Sequence, residues 1–262
     1  MPQNTWIDKM FVSDADVYRR ILEQITPRAE EEIEFVAEQL DYREVPPGSR
    51  VLDLACGVGR HAIELARRGY HVVGADVSPT FVERAEELAE EAGVADATEF
   101  VVADMREIAD QLTDERFDAI INLFTSFGYY DDETSGRILE QCLRLVRPDG
   151  VFMIDTVNRD SLMRDFQQHG VEDHGEMMTV EDRGFDLERG VVETHWTILE
   201  QTGPSTWETA LEVDLAHRAY TLNELIGLFE EAGWSYMEAF GTLTGGEMSI
   251  DSPRLVGLFK AP

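Results

Sequence analysis

Val51-Leu52-Asp53-Leu54-Ala55-Cys56-Gly57-Val58-Gly59-Arg60-His61-Ala62 sets an apolar run, a glycine turn and the opening of a helical pattern in immediate succession. Gly57 and Gly59 permit a tight turn with no Cβ between backbone and ligand, while the free N–H groups opening the next helix face the same crevice. Such a junction holds a nucleotide-like ligand. The spacing Gly57-x-Gly59-x-x-Ala62 also satisfies the dinucleotide fingerprint, so the turn alone leaves NAD(P) and S-adenosylmethionine (SAM) both open.

Three acids at successive strand ends favour SAM. Asp53 lies four residues before Gly57, where it can accept from an amino acid ammonium, directly or through water, and would repel a pyrophosphate. Asp76 closes His71-Val72-Val73-Gly74-Ala75-Asp76 and is placed for two ribose hydroxyls, a feature that NAD sites share. Asp104 follows Phe100-Val101-Val102-Ala103 and suits the exocyclic amine of an adenine lying against Val77 and Met105. The expected cofactor-binding set is Asp53, Ala55, Gly57, Gly59, Arg60, His61, Asp76, Val77, Asp104, Met105, Leu123 and Phe124.

With these residues in place the chain resembles the class I SAM-dependent methyltransferases. The resemblance spans roughly residues 45–158 and rests on Val51 to Ala62, Val72 to Pro79, Asp104 to Arg106, Phe117 to Phe124, and Leu145 to Ile154 with its Arg147-Pro148-Asp149-Gly150 turn. It implies a doubly wound, mostly parallel seven-stranded α/β sheet with helices on both faces, SAM as methyl donor and S-adenosylhomocysteine as product. Ala55 to His61 and Thr125-Ser126-Phe127-Gly128-Tyr129-Tyr130 look like the branch of small-molecule N-methyltransferases acting on amino acids and amino sugars. That likeness implies a small polar acceptor, nitrogen favoured. Amino-sugar enzymes of the branch are expected to carry a histidine near the position of Tyr129, from which this chain departs. A macromolecular methyltransferase and a non-catalytic SAM-binding regulatory protein are the alternatives.

Methyl transfer from a sulfonium is an in-line displacement that a protein assists mainly by alignment and exclusion of water. Phe124, Phe127, Tyr129 and Tyr130 cluster just after the fourth strand, where a ring can face a cation. Tyr129 is the preferred substrate-facing residue, acting by orientation and not as an obligate base. Tyr18, Phe127, Tyr130, Asn158 and Arg159 are further substrate-binding candidates. His61 reads as a hydrogen-bonding support beside the cofactor, and His169, His174 and His195 as polar surface groups. No His/Cys/Asp cluster has metal spacing.

Strand and helix patterns alternate through residues 49–158 and resume at 220–262, with a helical cap at 1–48. Residues 159–219 read as an inserted lid: a short helix over 159–169, then period-two strands over 176–219 turned at Gly184, Gly190 and Gly203-Pro204. Thr221-Leu222-Asn223-Glu224 is a capping box, and two final strands form an antiparallel edge that a dehydrogenase would not need. Cys56 and Cys142 form no disulfide framework, and no apolar stretch approaches the ~20 residues of a membrane helix. The start Met1-Pro2-Gln3-Asn4-Thr5 lacks a signal pattern, so a cytoplasmic protein is expected. Acids outnumber bases 53 to 22, giving a net charge of −31, and Lys9 and Lys260 are the two lysines. That balance disfavours nucleic acid as partner and fits a halophilic cytoplasm, where salt screens self-repulsion.

Overall fold

The structure is a computed structural model that describes residues 5–113 and 116–262; Met1 to Asn4, part of the expected unsignalled start, lie outside it. The described chain opens with α1 (Thr5–Ile7), a π-helical turn (Asp8–Ser13), α2 (Ala15–Ile25) and α3 (Ala29–Tyr42), the last two separated by a 3-10 turn at Thr26–Arg28 where Pro27 interrupts the ladder. The alternating part follows: β1 (Arg50–Leu54), α4 (Arg60–Arg67), β2 (His71–Asp76), α5 (Pro79–Ala92), β3 (Thr98–Val102), α6 (Ile108–Gln111), β4 (Phe117–Asn122), α7 (Asp132–Leu145) and β5 (Val146–Val157). After α8 (Arg159–Arg164) come β6 (His169–His174), β7 (Met177–Asp186), β8 (Val191–Gly203) and β9 (Thr206–Arg218), then α9 (Leu222–Glu231), β10 (Ser235–Phe240) and β11 (Arg254–Lys260).

Seven strands form one sheet in the order β3-β2-β1-β4-β5-β11-β10, parallel except that β11 runs antiparallel to both neighbours. Its central strands are buried on both faces and therefore read as continuous apolar runs. One face packs under α7 and α9 through Ile138, Leu139, Phe152, Phe229 and Trp234; the other packs under α3, α4 and α5 through Ile33, Leu40, Leu65 and Val82. The strand order reverses between β1 and β4, which opens a crevice at their carboxyl ends. Helix ends follow local chemistry: Ser78 caps α5 ahead of Pro79, Gly93 ends it in the left-handed region, and Thr221 with Glu224 completes a capping box on α9.

The insertion is a separate antiparallel sheet, β6-β7-β8-β9. It holds one more strand than the period-two pattern indicates. His169–His174 is largely exposed along both faces, so β6 carries no apolar alternation to announce it. Gly184 does not turn the chain; it lies inside β7, paired with Glu193, and the turn falls at residues 187–190. The helix expected over 159–169 stops at Arg164. Strand β5 begins at Val146, and the expected Pro148-Asp149-Gly150 turn is instead an irregularity within it, with Asp149 at φ 64°.

Candidate functional site

The β1–α4 turn is held open by its backbone. Ala55, Gly57 and Gly59 all lie at positive φ, and the N–H of Gly57 donates to Asp76 Oδ2 at 2.9 Å. Ser78 N donates to the other oxygen, Oδ1, at 2.9 Å, so Asp76 ties two strand ends together while still lining the crevice. Burial pushes its carboxyl up to about 6. Gly59 faces away from the crevice: a Cβ there would lie 2.8 Å from Ala85 and Phe100, so this glycine serves the packing of helix on strand.

The crevice is walled by Ala55, Gly57, Asp76, Val77, Asp104, Met105, Leu123 and Phe124 and roofed by Ile7, Phe11, Tyr18 and Leu22 of the N-terminal segment. Cys56, Phe81 and Ser126 also line it, small or apolar residues that carry no chemical signal in sequence. Asp53 sits beneath this wall, not on it. Its carboxylate accepts from Ala62 N–H, its Oδ2 is buried with no hydrogen-bond partner among the described residues, and burial pushes its pKa up to about 7. Arg60 lines the crevice with its guanidinium 5.0 Å from the centroid of the Phe124 ring; Glu32 of α3 binds its Nη1, while Nη2 is buried and unpartnered among the described residues. The same Glu32 carboxylate lies 2.8 Å from His61 Nε2, and burial lowers the His61 pKa. His61, which also lines the crevice, thus shares one acid of α3 with Arg60.

These groups fit a SAM-shaped ligand. Asp76 and the Gly57 backbone offer polar groups for a sugar, Val77 and Met105 an apolar slot, and Arg60 a cation on the wall suited to a carboxylate, with the unpartnered Asp53 Oδ2 buried behind that wall. Asp104 lines the slot and is paired with Arg106, whose guanidinium lies over the Tyr130 ring at 5.0 Å.

A second cavity, about 700 Å³, adjoins the crevice. Tyr18, Phe124 and Tyr129 line both. Tyr129 stacks on Phe11 at 5.7 Å and meets Trp6 edge-on at 4.9 Å, and Tyr18 approaches Trp196 of β8 at 6.0 Å. Burial holds the Tyr129 phenol far above its ordinary pKa, which leaves it a hydrogen-bonding group and not a base. Phe124 and Thr125 adopt positive φ, a conformation fixed by Asp155: its Oδ2 accepts from Phe124 N at 3.0 Å, its carbonyl accepts from Thr125 N at 3.1 Å, and Arg254 clamps the carboxylate.

Four expected substrate residues fall elsewhere. Phe127 is buried in the core against Tyr220 and Phe229. Asn158 caps α8 through Asp160 N and donates to the Ser249 and Ser252 carbonyls, which uses up its amide. Arg159 is bound by both Glu224 oxygens. Tyr130 lines the cofactor crevice, not the second cavity. Conversely His174, read as a surface group, lines the second cavity together with Trp6, Arg183, Thr194, Trp196, His217 and Arg254, whereas His169 and His195 are exposed partners of Asp182 and Asp214. The alternating strand pattern hides these cavity-facing residues until the pairing of β7 to β9 is known.

Among the described residues no cluster of three or more His, Cys, Asp or Glu could hold a metal, and no helix is long and apolar enough to cross a membrane. Cys56 and Cys142 are both free and buried.

Residues 51–150 match the methyltransferase domain family. The chain is 25% identical over 224 residues to the protein YqeM of Bacillus subtilis (strain 168), covering 83% of this chain and 85% of that one. Its fold is similar to that of a SAM-dependent methyltransferase from Clostridium acetobutylicum ATCC 824, with TM-score 0.77 at 16% identity over 88% of this chain and 91% of the other. It is also similar to SAM-bound CalS10, an amino pentose methyltransferase from Micromonospora echinaspora, with TM-score 0.66 at 19% identity over 89% and 92% of the two chains. The glycine turn and the strand ends that open the crevice lie within the stretch that matches the methyltransferase domain family, and the fold is the one these SAM-dependent methyltransferases share.

Proposed function

We propose that this enzyme transfers the methyl group of SAM to a small polar metabolite, nitrogen being the favoured acceptor atom, within the second cavity. The observation that carries this reading is the junction of the two cavities at Tyr18, Phe124 and Tyr129, roofed by the N-terminal segment and backed by the inserted sheet. A space of about 700 Å³ suits a metabolite and is too small for a folded macromolecular acceptor. The amino pentose activity of the structural relative CalS10 agrees with this size class.

When bound, SAM supplies an electrophilic methyl on a sulfonium. Asp76 would hold the ribose, Asp104 the adenine edge, and Arg60, with the Asp53 carboxyl behind the wall, the amino acid end. Tyr129 orients the acceptor at the junction, and its ring, with those of Trp6 and Tyr18, faces an amine, a contact worth ~0.5–2 kcal/mol. The aromatic roof excludes water from the reacting centre.

Incubating the enzyme with methyl-labelled SAM and fractionated metabolite extracts tests this. Label enters a low-mass fraction, and Tyr129→Phe lowers turnover while SAM affinity stays nearly constant, because lost orientation acts on the transition state. Label confined to protein or RNA would contradict the reading.

A further inference from the structure

The inner face of the inserted sheet changes character along its length. Met177, Ile198 and Leu211 turn apolar side chains onto Ile21 of α2 and form a small core. Beyond them Thr179, Glu181, Arg183, Thr194 and His217 face the cavity, and Thr179, Glu181 and Thr194 are buried. A sheet face that merely packs is apolar, and an unmatched buried polar group costs about 1–3 kcal/mol. The charged groups around the cavity include two ion pairs made within the protein: Glu181 with Arg183, and Arg254 with Asp155.

His217 is not matched in this way. It lies on β9 opposite Val192, lines the cavity, and its Nε2 is buried without a hydrogen-bond partner among the described residues. Burial, reinforced by the guanidiniums of Arg254 from β11 and Arg183 from β7, pushes its pKa down to about 4, so the ring is neutral at physiological pH. Its position relative to Tyr129 is fixed by backbone: the next residue, Arg218, donates its N–H to Gly128 O at 2.7 Å, and Gly128 immediately precedes Tyr129.

We propose that His217 is the recognition anchor of the acceptor substrate, its Nε2 exchanging a hydrogen bond with a hydroxyl or amine remote from the atom methylated at Tyr129. The substrate is then a molecule with at least two separated polar groups, such as an amino alcohol, hydroxy amino acid or amino sugar. This rests on the acceptor cavity proposed above.

The test uses the full chain, labelled with ¹⁵N-histidine and saturated with S-adenosylhomocysteine, and follows the His217 ring by NMR as glucosamine, serine or ethanolamine is added; His217→Gln identifies the resonance. At least one probe is expected to shift Nε2 and to bind about tenfold more weakly to His217→Phe, with partial retention in His217→Gln and unchanged S-adenosylhomocysteine affinity. Probes that leave the ring unmoved while S-adenosylhomocysteine binds, or that bind His217→Phe equally well, would overturn the proposal. Failure of S-adenosylhomocysteine itself to bind would instead overturn the cofactor site on which it rests.

Discussion

The two halves of the joined cavity are made by different means. The cofactor half is built from backbone turns at the ends of parallel strands, and those turns are held by acids on neighbouring strand ends: Gly57 and Ser78 by Asp76, Phe124 by Asp155. The second half is lined largely by side chains of a sheet added between α8 and α9, which packs on the N-terminal segment through Ile21 and Trp6 and is tied down by polar contacts distant in sequence. Lys9 donates to Glu212 O, Arg20 pairs with Glu200, and Arg218 N donates to Gly128 O. The first half is fixed by the fold, whereas the second can change its lining without disturbing the strand ends, which is where one scaffold acquires different substrates.

Breaking the attachment has the largest expected effect. Gly128 has φ +104°, and a Cβ there would lie 2.4 Å from the Arg218 carbonyl oxygen. Gly128→Ala should therefore cost about 3 kcal/mol by chemical denaturation through strain and displacement of β9. A loss below about 1 kcal/mol would mean that the insertion is not locked to the Tyr129 loop.

Damage confined to the cofactor half should read out in affinity. Asp76→Ala removes the carboxylate that binds Gly57 and, in this account, the ribose, and should weaken SAM binding by about 2 kcal/mol, roughly thirtyfold, in calorimetry. His217→Phe should leave that value unchanged, so equal losses in both variants would erase the distinction between the halves.

Asp53 sharpens the comparison through pH. Its folded pKa of about 7 lies above the ordinary value of 3.8, so folding favours its protonated form. Its relative contribution to stability is present below pH 4 and is lost as pH rises through 7. Asp53→Asn keeps an acceptor for Ala62 N–H and removes the charge; in the cofactor-free protein it should raise stability by on the order of 2 kcal/mol at pH 8 and by little at pH 4. A pH-independent difference would show that Asp53 is ionised in the fold without penalty.

A smaller and less local effect concerns the surface. With a net charge of −31, self-repulsion opposes folding at low salt. Molar KCl should raise the denaturation midpoint, an increase of about 1 kcal/mol or more. A flat or falling midpoint would reject the halophilic reading of the composition.

Sequence legibility divides along the same line. The crevice was legible because its determinants are local: a glycine turn, acids at strand ends and a capped α5 lie within a few residues of the positions they shape. Local reasoning failed where neighbours in space are distant in sequence. Asn158 and Arg159 stand at a strand end, the expected place for substrate groups, yet Ser249, Ser252 and Glu224 claim them. Phe127 belongs to an aromatic run but turns into the core, because the Gly128 bend sends Tyr129 the other way. His217 looks like one polar residue in an alternating strand, and only the pairing of β8 with β9 turns it inward.

The central claim is that methyl transfer occurs in the cavity between Tyr129 and the inserted sheet. Thr194 is buried on that cavity's wall, opposite Leu215 and away from the cofactor crevice. Thr194→Trp places an indole in the acceptor space, so the direct measurement is transfer from methyl-labelled SAM into low-mass acceptors by this variant, alongside its SAM affinity. The account predicts that transfer falls at least about a hundredfold while SAM affinity stays within about twofold. Undiminished transfer by a folded, SAM-binding Thr194→Trp enzyme would contradict it.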